Sequence, residues 1–447
     1  MFREFMIITV VSIVSLSTIV SYTRTNENVI ISIPVEHSDY TSLNFSETQS
    51  PVTQIKQIIA GRRMVMVIME DNSLWAWGTV YKDRLGWDGT IEMRYTPLKI
   101  MDDVVMAINE DSRTMALQAD GTLWAWGFNQ EGQLGDGTTE NRYAPVQIMN
   151  DVSFFSTSQS GRSAAIQTDG SLWSWGSGRS GDGTTENHHS PVKIMDNVAD
   201  VIVTSGATFA LQTDSTLWAW GFIQEGQLGD GTTENRYSPV QIMSDVSFVF
   251  ADCQSSHFAV IRNDGSLWTW GNNLFGQLGD GTTENRHSPI KIMDNVVSVD
   301  IANDSTFALQ ADGALWAWGL NGNGYLGDGT TENRHSPVRV MNDIAYFSSE
   351  GAHAMAITMD GVLWGWGRKA PGGCNWTFSV GDGINEVRPL PIRIMDDVYT
   401  VVTSAGFTLA ITNDNRLWAW GYNGFGQLGV PVHEHSHIPI EVNNGLR

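Results

Sequence analysis

From about residue 53 onward, short apolar runs alternate with polar turns, and one phrase keeps returning. A representative unit reads Thr208-Phe209-Ala210-Leu211-Gln212, then the polar Thr213-Asp214-Ser215, then Thr216-Leu217-Trp218-Ala219-Trp220-Gly221. Runs this short, bounded by turn formers, predict strands rather than helices. An apolar stretch at Val201 to Val203 precedes this pair, and Pro239-Val240-Gln241-Ile242 follows it. Each unit therefore supplies about four short strands.

The Leu-Trp-x-Trp-Gly core starts at Leu74, Leu123, Leu172, Leu217, Leu267, Leu315, Leu363 and Leu417, with spacings of 49, 49, 45, 50, 48, 48 and 54 residues. Periods of this size with four strands each indicate a β-propeller, not a helical solenoid. The fold class expected is all-β, with eight repeat units across residues 53–442. Asp120-Gly121, Asp169-Gly170, Asp264-Gly265, Asp312-Gly313 and Asp360-Gly361 stand between paired runs, as tight hairpin turns require. Unit four has Asp214-Ser215 there, and the first and last units have Asp71-Asn72 and Asp414-Asn415.

Sixteen of the eighteen tryptophans belong to the repeated core, leaving Trp87 and Trp376 outside it. Side chains alternate along a strand, so Trp218 and Trp220 share one face and Leu217 and Ala219 the other. Such regular recurrence reads as packing between blades, a large ring filling space beside a small residue such as Ala219.

The phrase Ala-Leu-x-x-Asp-Gly-x-Leu-Trp-x-Trp-Gly, followed by Asn-x-x-Gly-Gln-Leu-Gly as in Asn273 to Gly279, resembles the RCC1 (regulator of chromosome condensation) repeat family. The resemblance spans residues 53 to 442 and recurs eight times. It implies a propeller, usually of seven blades in that family; eight complete copies favour eight here, with seven left open if a terminal copy is split. The founding member exchanges nucleotide on a small GTPase and binds chromatin. The family's plant ultraviolet receptor uses a Gly-Trp-Arg-His-Thr phrase that this chain lacks, reading Gly206-Ala207-Thr208-Phe209 and Gly351-Ala352-His353-Ala354 instead.

Charge and the N-terminus shift the functional expectation. The chain carries 26 basic and 49 acidic residues, a net charge of −23, which repels phosphate backbones and anionic membranes. No nucleic-acid partner is expected. Met1-Phe2-Arg3 and the apolar run Phe5 to Val20 make residues 1–21 a signal peptide or an uncleaved N-terminal membrane anchor. Residues 22–52, rich in Ser, Thr and Asn, read as a polar linker. The expectation is a secreted, bacterial-type RCC1-like propeller, extracellular or on the cell surface. It would be monomeric, without cofactor or enzymatic activity, and would bind a protein or a surface glycan.

Candidate chemistry is sparse. The loop Asp-Gly-Thr-Thr-Glu-Asn recurs from Asp136, Asp182, Asp230, Asp280 and (as Asp-Gly-Thr-Thr-Glu-Asn) Asp328, and offers oxygens to calcium, but without the twelve-residue spacing of a calcium loop. His433, His435 and His437 would share one face of a strand and are the weak metal candidates, although His437 aligns with His189, His287 and His335 of other units. Cys253 and Cys374 lie in different, non-adjacent units and form no Cys-x-x-Cys pair. Gly322-x-Gly324-x-x-Gly327 lacks the strand–helix setting of a dinucleotide site, and no Gly-x-Ser-x-Gly elbow or sialidase box is present. Unit seven carries extra residues from Arg368 to Val380. Arg368, Lys369, Asn375, Trp376 and Phe378 there are the candidate binding residues, since insertions in repeat proteins fall in loops, often on the binding face. Two alternatives to a binding scaffold stay open: a GTPase exchange-factor-like regulator and a propeller enzyme.

Overall fold

The computed structural model describes residues 54–79, 93–110, 112–222, 226–251, 256–302, 304–350, 353–367, 379–404, 406–431 and 435–442. It also gives the backbone of three short antiparallel strands, Thr9–Val10, Ser21–Thr25 and Asn28–Ile30, within the stretch read as targeting segment and linker. No helix among the described residues is long and apolar enough to cross a membrane.

Eight four-stranded antiparallel sheets follow, each a meander of consecutive strands. Blade 1 uses Ile55–Ala60, Met64–Met69, Leu74–Thr79 and Met93–Met101. Blade 8 uses Val398–Ser404, Phe407–Thr412, Leu417–Gly421 and Ser436–Glu441. The ring therefore has eight blades, and no copy is split between the termini. The first strand of each blade is innermost. First strands of successive blades touch, as where Ser348 Oγ meets Thr403 Oγ1 at 2.9 Å. Fourth strands lie outermost and are only partly buried, as Arg142–Met149 is.

The ring closes without strand exchange. Ile55 N donates to Asn415 Oδ1 (3.3 Å), Trp77 Nε1 to the Gln427 carbonyl (3.0 Å), and Ser404 Oγ to the Gly61 carbonyl (3.5 Å). Elsewhere the first-strand amide bonds the turn of the preceding blade, as Val198 N does with the Gly170 carbonyl at 2.9 Å. At the seam an asparagine side chain takes over that role.

The two tryptophans of each motif do different work. The second is fully buried in every blade, while the first is half-buried. The buried indole reaches into the preceding blade: Trp318 Nε1 donates to the Gln277 carbonyl at 2.9 Å. The small residue beneath it is a loop glycine rather than the strand alanine. A Cβ on Gly279 would stand 2.7 Å from Trp318 Nε1, and Gly279 has φ +78°. The Gly-Gln-Leu-Gly phrase is thus a socket for the next blade's tryptophan.

Candidate functional site

The meander gives the ring two unlike faces. Turns between second and third strands, and links between blades, form the turn face. Hairpins between first and second strands, and the longer third-to-fourth connections, form the loop face.

The turn face is regular. Asp169 Oδ1 accepts from Ser171 N (2.8 Å), and the equivalent aspartates do the same. In blades 2, 4 and 6 a glutamine bridges the gap beside the outer tryptophan. Gln118 Nε2 donates to the Asp102 carbonyl (2.8 Å) and its Oε1 accepts from Trp124 Nε1 (2.7 Å); Gln212 and Gln310 repeat both bonds. Thr412 replaces that glutamine in blade 8 and is too short to bridge. A polar cleft of about 580 Å³ opens there, lined by Asp396, Asp397, Asp414, Arg416 and Trp418 among others.

On the loop face the candidate calcium loops satisfy themselves. Asp136 Oδ1 accepts from Thr138 N (3.1 Å), Thr138 Oγ1 (2.8 Å) and Asn129 Nδ2 (3.0 Å), and Oδ2 from Arg142 Nε. Burial opposes ionisation of Asp136, but the bonds from Arg142 and Thr138 outweigh it and hold its carboxyl below the usual range. A guanidinium supplies the positive charge a cation would bring. Asn129 clasps the loop, its Oδ1 accepting from Leu134 N at 2.8 Å. Asn273, Asn321 and Asn423 repeat this, which accounts for the Asn-x-x-Gly-Gln-Leu-Gly phrase.

The histidine candidates do not converge. His435 Nδ1 accepts from Asn423 N (2.9 Å), the place Asn285 takes towards Asn273, and its ring stacks on Tyr422. The His437 carbonyl accepts from Gly383 N (2.8 Å), as the His335 carbonyl does from Gly281 N (2.7 Å). Both therefore fill repeat positions. His433 lies outside the described residues, and no metal-holding group of three His, Cys, Asp or Glu exists among those described. Arg368, Lys369, Asn375, Trp376 and Phe378 also lie outside them, as do Trp87, Cys253 and Cys374. The flanking strands Leu363–Gly367 and Arg388–Met395 start and end that connection on the loop face.

One repeat position on the inner loop face, polar in five of the eight blades, escaped the sequence reading. The residue opening each second strand is Met64, Arg113, Arg162, Ala207, His257, Ser305, His353 or Phe407. Arg113 Nη2 donates to Thr157 Oγ1 and to the carbonyls of Ser158 (2.8 Å) and Arg162 (2.9 Å). His257 Nε2 meets Thr306 Oγ1 (3.0 Å), and His353 Nε2 meets Thr408 Oγ1 (2.7 Å). Burial pushes these imidazoles down to about 3 and about 4. Burial likewise pushes Arg113 down to about 10, opposed by Glu110, so it stays charged near neutrality. Each group binds the neighbouring blade. Laying the eight repeats over one another is the signal that isolates this position.

Asp200, in the innermost strand Val198–Val203, is the other hidden group. Its counterparts beside the same bulge are uncharged, among them Phe154, Phe248 and Ser298. Burial pushes its carboxyl up to about 6, against a 2.8 Å bond from Val201 N. A raised carboxyl costs the folded state stability above its pKa. Asp200→Asn is therefore expected to raise the unfolding free energy by about 1–2 kcal/mol at pH 7.5, discounted for the residue's partial solvent contact, and by only about a few tenths of that at pH 4. Urea midpoints at the two pH values check this, and equal midpoints for the two proteins at pH 7.5 would contradict it.

The RCC1-like domain profile matches residues 34–347, and RCC1 repeat profiles match residues 398–427 and 414–447. No curated protein sequence matches the chain. Among solved structures it is similar to Prp20p from Saccharomyces cerevisiae, described with its binding properties to Gsp1p and histones, at 20% identity, 74% coverage of this chain, 88% of that chain and TM-score 0.53. Human WBSCR16 is similar at 21% identity, 72% and 94% coverage and TM-score 0.55. Yeast RCC1 (Prp20), bound to Kap60, is similar at 17% identity, 92% coverage of both chains and TM-score 0.55. With a family profile covering more than two-thirds of its length, this chain belongs to the RCC1-like domain family.

Proposed function

We propose that this chain is an exported, non-enzymatic scaffold that holds a protein, or a glycan on a surface, through its loop face. One observation carries the reading. The connections after the third strands of blades 7 and 3, the longest and the shortest, start and end at the loop face, and the buried Arg and His substitutions open from that same face, whereas the aspartate turns of the turn face repeat one hydrogen-bonding pattern. Variation on one face over a uniform frame is the pattern of a binding surface on a repeat scaffold. The relatives described with bound proteins, Gsp1p and histones for Prp20p and Kap60 for yeast RCC1, support a protein partner. The inner polar groups sit in blades 2, 3, 5 and 7, each bonded to its neighbour, which favours binding over a convergent catalytic centre.

The test replaces residues 369–378 with a short Gly-Ser link. Pull-downs compare the two full-length proteins against the same extract, with captured proteins identified by mass spectrometry and glycans by array. The native protein is expected to retain a component that the folded variant loses. Identical capture by both would remove the insertion from the binding surface. The exchange-factor alternative makes a different demand: the mature protein would start at Met1 inside the cell and accelerate nucleotide release from a small GTPase. N-terminal sequencing of the mature protein separates the two readings.

A further inference from the structure

The 45-residue spacing between Leu172 and Leu217, the shortest of the seven, has a local origin. Four residues (177–180) separate Gly176 from Gly181, where seven (128–134) separate Gly127 from Gly135. The shortened connection lacks the Asn clasp and the Gly-Gln-Leu-Gly glutamine. Ser180 takes the glutamine's place, its carbonyl accepting from Trp220 Nε1 of blade 4 at 3.1 Å. Arg179 adopts φ +68° and lies over Phe222, 4.7 Å from the ring centroid.

The interface of blades 3 and 4 beneath this shortened connection holds two unusual buried groups. Arg162 is 3% exposed and Ser180 1% exposed. Arg162 Nη2 donates to the Thr204 carbonyl at 2.5 Å. Its Nη1, and the Ser180 hydroxyl, have no hydrogen-bond partner among the described residues. The repeat brings the two positions to the same blade interface. At the equivalent interface of blades 5 and 6, His257 (Arg162's position) meets Thr306 Oγ1, which donates to the carbonyl of Gln277 (Ser180's position) at 2.8 Å.

Electrostatics sets this interface apart. Arg113, one blade earlier, has the Glu110 carboxylate nearby, whereas the charge felt by Arg162 is the like charge of Arg179. A buried guanidinium without a counter-charge is costly to the fold, and an unbonded buried hydroxyl adds to that cost. Arg162 Nη1 and Arg179 offer donors and positive charge, and the Ser180 hydroxyl can donate as well.

We propose that the notch between blades 3 and 4 is an oxyanion site, taking a phosphate, sulfate or carboxylate group on Arg162, Ser180 and Arg179. The site stands whether or not the blade-7 insertion binds a partner. An anion there would pair the buried charge and receive charge-assisted hydrogen bonds.

Calorimetric titration of the full chain with inorganic phosphate, against sodium chloride at equal ionic strength, tests it. Saturable binding and a raised Tm are expected in phosphate. Ser180→Ala and Arg179→Gln are each expected to weaken binding about tenfold while leaving the fold intact. Arg162→Met should abolish binding; if that variant does not fold, the other two decide. Competition by a phosphoserine peptide, by an unphosphorylated acidic peptide or by neither assigns the group to a phosphoprotein, a carboxylate-bearing chain or a free ion, each within the site. No saturable phosphate heat, or undiminished affinity in both Ser180→Ala and Arg179→Gln, overturns the proposal.

Discussion

Trp318→Ala is expected to lower the unfolding free energy by about 3–5 kcal/mol, while Trp316→Ala, two residues away on the same strand, costs about 1–2 kcal/mol. Trp318 is wholly buried against the loop of blade 5, and its indole N–H bonds the Gln277 carbonyl. Truncation leaves a cavity between two blades and removes one of the two hydrogen bonds that the Gln277 carbonyl accepts. Trp316 is half-buried on the rim, and its N–H bonds Gln310 Oε1 at 2.8 Å within its own blade. Gly279→Ala should approach the larger loss, because its Cβ would collide with Trp318 in a backbone conformation that disfavours a side chain. Urea midpoints at constant m-value measure all three. Equal losses at Trp316 and Trp318 would mean that the blade interface does not hold the ring together.

The blades were legible in the sequence because the motif that marks them also makes them. Leu-Trp-x-Trp-Gly is a strand, and the glycine-rich phrase after it is the socket for the next strand's tryptophan. The blade count was not settled by copies alone. It depended on whether residues near the C-terminus complete the last sheet, and Ser436–Glu441 does so. Alternation predicted one face for both tryptophans but not their unequal burial, which follows from which end of the strand meets the preceding blade's loop. The inner polar groups were invisible residue by residue. His257 alone is an ordinary polar strand opening; only its repeat position shows it facing the next blade. The 54-residue spacing drew the eye to blade 7, while the 45-residue spacing at blade 3 marks the notch where buried polar groups lack partners.

Acid should destabilise the ring well above the pH at which its loop aspartates protonate. His257 and His353 are neutral when folded, with pKa values pushed down by burial to about 3 and about 4. Unfolded, each titrates near 6.5. The unfolded state therefore binds more protons between these values, and stability falls as pH drops through that window. The two histidines are fully stabilising above the unfolded pKa, and by pH 4 each has lost about 3 kcal/mol. Asp200 works in the opposite sense over pH 6 to 4, since its folded pKa is raised, and offsets part of the loss. The loop aspartates Asp136, Asp230, Asp280 and Asp328 have lowered folded values, so their contribution disappears only below the window. Thr306 Oγ1 already donates to the Gln277 carbonyl, so it accepts from His257 Nε2–H and leaves Nδ1 without a proton. A glutamine amide can supply the same donor without titrating. The His257→Gln/His353→Gln protein is thus expected to keep its urea midpoint from pH 6.5 to 4, or raise it slightly as Asp200 protonates, where the native protein's midpoint drops steeply. A native-like slope in the double variant would place the acid sensitivity elsewhere.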